Sequence, residues 1–134
     1  YINTKYVMFV QRDGYPVNLS SWNNLYLEYD YIGAPWPNNM VGNGGFSIRS
    51  KKILEDASKF DDLDFSIPED VTMCHPNFLR DKLCRLNNKF APVEVARFFS
   101  VENNEWNGQL GFHGKHTYNL SKHHEEEFKH GVFC

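Results

Sequence analysis

Five acidic or histidine residues stand at or near the ends of predicted elements, where α/β folds place their sites. Asp13 follows the apolar run YVMFVQ, Asp30 lies within LYLEYDYIGA, Glu69 and Asp70 open PEDVTMC, and His113 sits in GFHGKH between glycines that leave room beside it. A hard divalent cation seeks carboxylate oxygen, and a borderline one also takes imidazole. Asp13 with His113 makes an incomplete ligand set that a diphosphate would complete. Structural roles compete with each of these. RDG is a common turn, and acids at a helix start complement the macrodipole whatever the function. The group His123, His124 and His130 with Glu125 to Glu127 could bind metal, but at a polar terminus it reads as a solvated helix.

The segment VGNGGFSIRS places Gly42, Gly44 and Gly45 around Asn43 just before a β-prone run. Bare backbone suggests a phosphate cradle, yet neither the Walker spacing nor the G-x-G-x-x-G fingerprint fits. The elements that must position these residues follow from pattern. YVMFVQ is a short apolar run ended by RDG and reads as a buried strand, which YPVNL continues beyond the turn. LYLEYDYIGA (25–34) reads as a second strand ended by Pro35, and FSIRS as a third. Ser50 is a candidate N-cap for a helix over KKILEDASKF, whose apolar face is Ile53, Leu54, Ala57 and Phe60. DDLDFS is an acidic loop. Pro68 introduces a helix carrying Glu69 and Asp70, Pro76 interrupts it, and Leu79, Leu83 and Leu86 continue an apolar stripe. KFAP reads as a short strand, VEVARFF as a helical turn and SVE as extended chain. The pattern is mixed α/β with short connections.

The 134 residues suffice for one domain with a buried core. An aromatic share of 16% suggests a core and cleft built from rings, suited to sugars or bases. Trp22, Trp36 and Trp106 read first as core residues, although Trp36 between two prolines is hard to bury fully. A net charge of -3 with no basic stripe argues against a nucleic-acid partner, and no apolar run is long enough to span a membrane. Cys74, Cys84 and Cys134 are odd in number and irregularly spaced, which favours reduced thiols and a cytoplasmic location. The start YINTKYVMFV, almost directly in a strand, suggests a piece of something longer.

Taken together, QRDG, YDYIGAPW, VGNGGFSIRS, PEDVTMC, FAPVEVARFFSVE and GFHGKH resemble, in order and spacing, a family of glycosyltransferase-like bacterial and viral proteins. That family looks like the carboxy-terminal part of a GT-A nucleotide-sugar transferase. The resemblance runs from about Tyr6 to His113, and DYIGAPW followed by VGNGGFSIRS is its most specific part. It implies an α/β fold with a mixed sheet of GT-A type over residues 1–120, lacking the usual amino-terminal nucleotide-binding half, and a polar tail over 121–134.

The resemblance also implies roles. Gln11-Arg12-Asp13 stands where such enzymes carry D-x-D, with Gln in place of the first acid, so Mn²⁺ or Mg²⁺ would fall to Asp13 and His113. Gly44, Gly45, Asn43 and Trp36 would line the sugar pocket, and Lys115 would meet diphosphate charge. Asp70 would be the catalytic base with Glu69 beside it. The partners implied are a nucleotide-sugar donor and a glycan or small-molecule acceptor, with oligomerisation left open. Two other classes fit the same residues: a non-catalytic carbohydrate-binding or assembly module, and a metal-dependent hydrolase using Asp13, Asp70 and His113.

Overall fold

FSIRS, the run that follows the glycines, becomes the strand around which the rest is arranged. The computed structural model describes residues 2–61, 63–102 and 104–114. These form strands β1 (Tyr6–Val10), β2 (Gly14–Pro16), β3 (Tyr31–Gly33), β4 (Phe46–Ser50), β5 (Ser100–Val101) and β6 (Gly111–His113). The helices are α1 (Lys51–Ala57), α2 (Glu69–Cys74), α3 (Arg80–Arg85) and α4 (Val93–Phe99). One sheet has the order β1-β4-β3 and is antiparallel throughout, with Val10 opposite Phe46 and Tyr31 opposite Arg49. The second, β2-β6-β5, is mixed: β2 runs antiparallel to β6, and β5 parallel to it. The chain is therefore α/β, and YVMFV, YIG and FSIRS are neighbours in one sheet, which is antiparallel where a mixed sheet was expected; the mixed pairing lies in the second sheet.

Every residue of β4 is buried. Strand alternation sends Phe46 and Ile48 into the main core and Ser47 and Arg49 to the opposite face. Phe46 stacks on Phe99 of α4 at 4.7 Å, and Tyr26 meets the same ring edge-on at 5.3 Å. The expected cap is present, with the Ile53 N–H donating to Ser50 Oγ at 3.1 Å. Ile53 and Ala57 are buried and Leu54 packs beside them, which seats α1 on the sheet.

Several elements differ from expectation for local reasons. The anticipated strand over 25–34 is only three residues long. Asn23 Oδ1 accepts from the Leu25 N–H and winds Asn24–Glu28 into a 3-10 turn, which buries Tyr26. β1 is an edge strand rather than a buried one, with Met8 and Val10 exposed. KFAP makes a single bridge, Phe90 to Tyr31, and the Asp30 and Tyr31 N–H groups donate to the Lys89 carbonyl instead. Leu86 is exposed, so the stripe on α3 ends at Leu83. Asp30 is structural: its carboxylate accepts from Ser50 Oγ at 2.6 Å and from the Lys89 N–H at 2.8 Å. Cys74 is buried and Cys84 exposed, and both are free thiols. Among the described residues no helix is long and apolar enough to cross a membrane. The polar tail 121–134 and the boundary at 120 lie outside the described residues.

Asp56 carries one consequence for stability. Its carboxylate accepts from Lys52 Nζ at 2.8 Å, from Lys59 Nζ and from the buried Asn88 Nδ2 at 2.7 Å, joining α1 to the turn after α3. The Lys52 hydrogen bond, then those of Lys59 and Asn88, hold this carboxyl well below the usual carboxylate range. A depressed folded-state pKa gives stability that is complete above the unfolded value of roughly 3.9 and is lost as pH falls through the folded value. Asp56→Asn should therefore lower the unfolding free energy measured with urea at pH 7 by about 1 kcal/mol, because the lysines are largely solvated, and flatten the acid sensitivity below about pH 4.

Candidate functional site

Sheet pairing brings the first candidates together. The register of β2 on β6 places Gly14 opposite His113, so Asp13, in the turn before β2, reaches the imidazole. His113 Nε2 lies 3.7 Å from Asp13 Oδ1, although the two residues are far apart in sequence. β5 runs parallel to β6 on its other side, and the residue that follows it, Glu102, meets the second ring nitrogen: Nδ1 to Oε1 is 3.2 Å. A carboxylate only accepts, so Nδ1 carries the proton and Nε2 faces Asp13. The Glu102 hydrogen bond raises the His113 pKa against the opposing effect of burial, and the charges of Glu102, Asp13 and Asp70 add to the rise.

Gly44 and Gly45 join this group to a second one. A Cβ on Gly45 would lie 2.0 Å from His113 Cδ2, so the ring packs directly on that backbone. A Cβ on Gly44 would lie 2.8 Å from both Arg49 Nη2 and Asp70 Cβ. The Gly44 N–H donates to Asp70 Oδ2 at 3.0 Å, and the Val71 N–H donates to Oδ1 at 2.8 Å. Arg49, buried on β4 between the rings of Phe9 and Tyr31, grips both oxygens of Glu69 at 2.8 Å. That pair fastens the start of α2 to the sheet and so fixes where Asp70 stands.

The missing Cβ atoms thus make way for side chains of this same chain. On these sides the backbone expected to lie open to a sugar ring is met by Arg49, Asp70 and His113. Asn43 is 3% exposed, and its Oδ1 accepts from the Gly45 N–H at 3.1 Å, so its oxygen closes its own turn. Trp36 packs on Gly42, where a Cβ would come within 2.3 Å of the indole, rather than on Gly44 and Gly45. Glu69, expected beside the base, has both oxygens engaged by Arg49 and serves as an anchor. Lys115 lies outside the described residues. His113 packs on Gly45, Asp70 on the neighbouring Gly44, and Asp13 lies beside the imidazole.

Sequence reasoning missed Arg49 and Glu102. Arg49 had a signal: an arginine in a strand that alternates with Phe46 and Ile48 needs a carboxylate or aromatic faces if that strand is buried on both sides. Glu102 had one only through β5, since it directly follows a strand that lies beside β6. As a metal site the arrangement offers Asp13 oxygen and His113 Nε2, with Glu102 orienting the ring from behind, a common feature of ligating histidines. Among the described residues no group of three or more His, Cys, Asp or Glu side chains is arranged to hold an ion. If an ion were held here, Asp13 and His113 would be its two ligands among the described residues, and the remaining positions would fall to substrate oxygen or water.

Residues 1–115 match the family model described as protein of unknown function (DUF5672). No curated protein and no solved structure matches the chain.

Proposed function

We propose that this chain, which belongs to the DUF5672 family, is part of a GT-A-type glycosyltransferase that moves a sugar from a nucleotide-sugar donor to an acceptor hydroxyl. The observation that carries the reading is that His113, with Asp13 3.7 Å from its Nε2, packs on Gly45 while Asp70 accepts from the N–H of the adjacent Gly44. Glycosyl transfer needs a positive centre for the leaving diphosphate and a carboxylate to take the acceptor proton. Asp13 and His113 would hold Mn²⁺ or Mg²⁺, and the cation would supply charge stabilisation to the diphosphate. Glu102 accepts from Nδ1 and keeps Nε2 aimed at the Asp13 side. Asp70 is set by its two backbone N–H bonds, and the Arg49–Glu69 pair holds its helix in place; it takes the acceptor proton.

The test is a nucleotide-sugar panel with the full-length protein, followed by release of nucleoside diphosphate. Turnover should require added Mn²⁺ or Mg²⁺, and Asp13→Asn or His113→Gln should each reduce it by about a hundredfold. Turnover that is unaffected by chelation and by both substitutions would overturn the metal assignment. A protein that binds glycans but turns over no donor would leave the carbohydrate-binding reading in its place.

A further inference from the structure

A cleft of about 650 Å³ opens on a different part of the surface, between the 20–26 turns, the end of α4 and the 104–109 segment. Its walls combine two kinds of group. Trp22 and Phe98 present apolar rings that are 40% and 57% exposed, a large amount of aromatic surface to leave in water. Between them stand carboxamides, from Asn23, Asn104, Asn107 and Gln109. Among the described residues that line the cleft none is a carboxylate, and the single cation, Arg97, lies over the Phe98 ring at 4.8 Å.

The cleft is preformed. The Gly108 carbonyl accepts from Asn18 Nδ2 at 2.7 Å and from Ser21 Oγ at 2.6 Å, which ties the two wall segments together at the floor. Gly108 has φ +85°, a backbone conformation that favours glycine. Trp22 is held from two sides: Nε1 donates to Asn24 Oδ1 at 3.0 Å, and its ring meets Tyr26 edge-on at 5.9 Å. The Asn107 N–H donates to Gln109 Oε1 at 2.6 Å, which fixes that amide. Rigid rings and oriented amides lower the entropy lost on binding.

We propose that this cleft is a binding site for a neutral saccharide. A pyranose has an apolar C–H face that covers an exposed ring, and hydroxyls that both donate to and accept from carboxamides. A phosphate-bearing ligand would call for several converging cationic donors, and the described walls supply one, Arg97. The inference stands apart from transfer chemistry, because binding here involves none of Asp13, Asp70 or His113.

It is tested by binding alone, without metal or nucleotide. Glucose, galactose, mannose, N-acetylglucosamine and their short oligosaccharides are titrated while tryptophan emission and the side-chain amide resonances of Asn107 and Gln109 are followed. At least one of these sugars should bind in the millimolar range or tighter, and Trp22→Ala and Gln109→Ala should each weaken it by about tenfold or more. Phe65→Ser, at a 94% exposed site away from the cleft, should leave binding unchanged. Trp22→Phe keeps a ring should the alanine variant fail to fold, and should retain part of the affinity. The proposal is overturned if no sugar shifts the Asn107 and Gln109 amides, if binding survives both substitutions, or if adenosine or inorganic phosphate occupies the cleft where sugars do not. Because the titration uses no metal and no nucleotide and follows the cleft's own amides, its failure and that of the transfer reading are separable.

Discussion

Gly45→Ala should disrupt the Asp13–His113–Glu102 group and destabilise the fold, although it adds only one methyl group. That methyl would lie 2.0 Å from His113 Cδ2 and 2.1 Å from Nε2, closer than packed atoms approach. The ring has no slack to take it up. Glu102 holds Nδ1, and Gly14, where a Cβ would already lie 2.8 Å from Cδ2, closes another side. Gly45 does not have a positive φ, so the cost is steric rather than conformational. Overpacking of this kind costs about 1–3 kcal/mol. The measurement is a double-mutant cycle by urea denaturation. Gly45→Ala should be costly in the native background and nearly neutral once His113→Ala has removed the ring, a coupling of about 1–3 kcal/mol. Equal cost in both backgrounds would mean that the glycine does not serve to seat His113.

The same glycines mark how far the sequence could be read. Their density announced that backbone must be approached closely, and that was right. What does the approaching was not legible, because a glycine cannot show whether a ligand or a side chain of its own chain fills the vacated space. The apolar, β-prone spelling of FSIRS was enough to identify β4, and Ser50 with the Ile53, Leu54 and Ala57 face identified α1. LYLEYDYIGA misled because its tyrosines and leucines suit a strand, while the capping oxygen of Asn23, a local hydrogen bond, won over propensity. Asp13 and His113 could be paired by residue type and by the resemblance, but not by any sign that the chain brings them together. The register that joins β2 to β6 is a long-range pairing, and nothing local in either segment encodes it. Arg49 and Glu102 stayed hidden for a related reason: each gains its role from a neighbour far away in the chain, Glu69 for one and His113 for the other.

Asp70→Asn should abolish sugar transfer while the protein remains folded and still binds donor. The two side chains have the same shape, and an amide oxygen can still accept from the Gly44 N–H that Asp70 Oδ2 now serves. The bond from the Val71 N–H to Oδ1 would be lost as the amide nitrogen turns toward it, at a cost of about 1 kcal/mol. On the proposed role, what disappears is the carboxylate that would take the proton from the acceptor hydroxyl, a loss of about 10²–10⁴-fold in rate. The loss should fall on kcat with KM little changed, since no donor contact is removed. Glu69 provides the contrast. Glu69→Gln weakens the grip of the buried Arg49 guanidinium and should lower stability by about 2 kcal/mol, less than a fully buried pair because Glu69 is largely solvated. Its kcat should stay within a few fold of native at temperatures where the variant is folded, because both Glu69 oxygens already serve Arg49 and not the acceptor. If the two variants exchanged these behaviours, with Asp70→Asn unfolding the protein and Glu69→Gln stopping turnover, the base would be Glu69, and Asp70 would be only the bracket that holds Gly44 to α2.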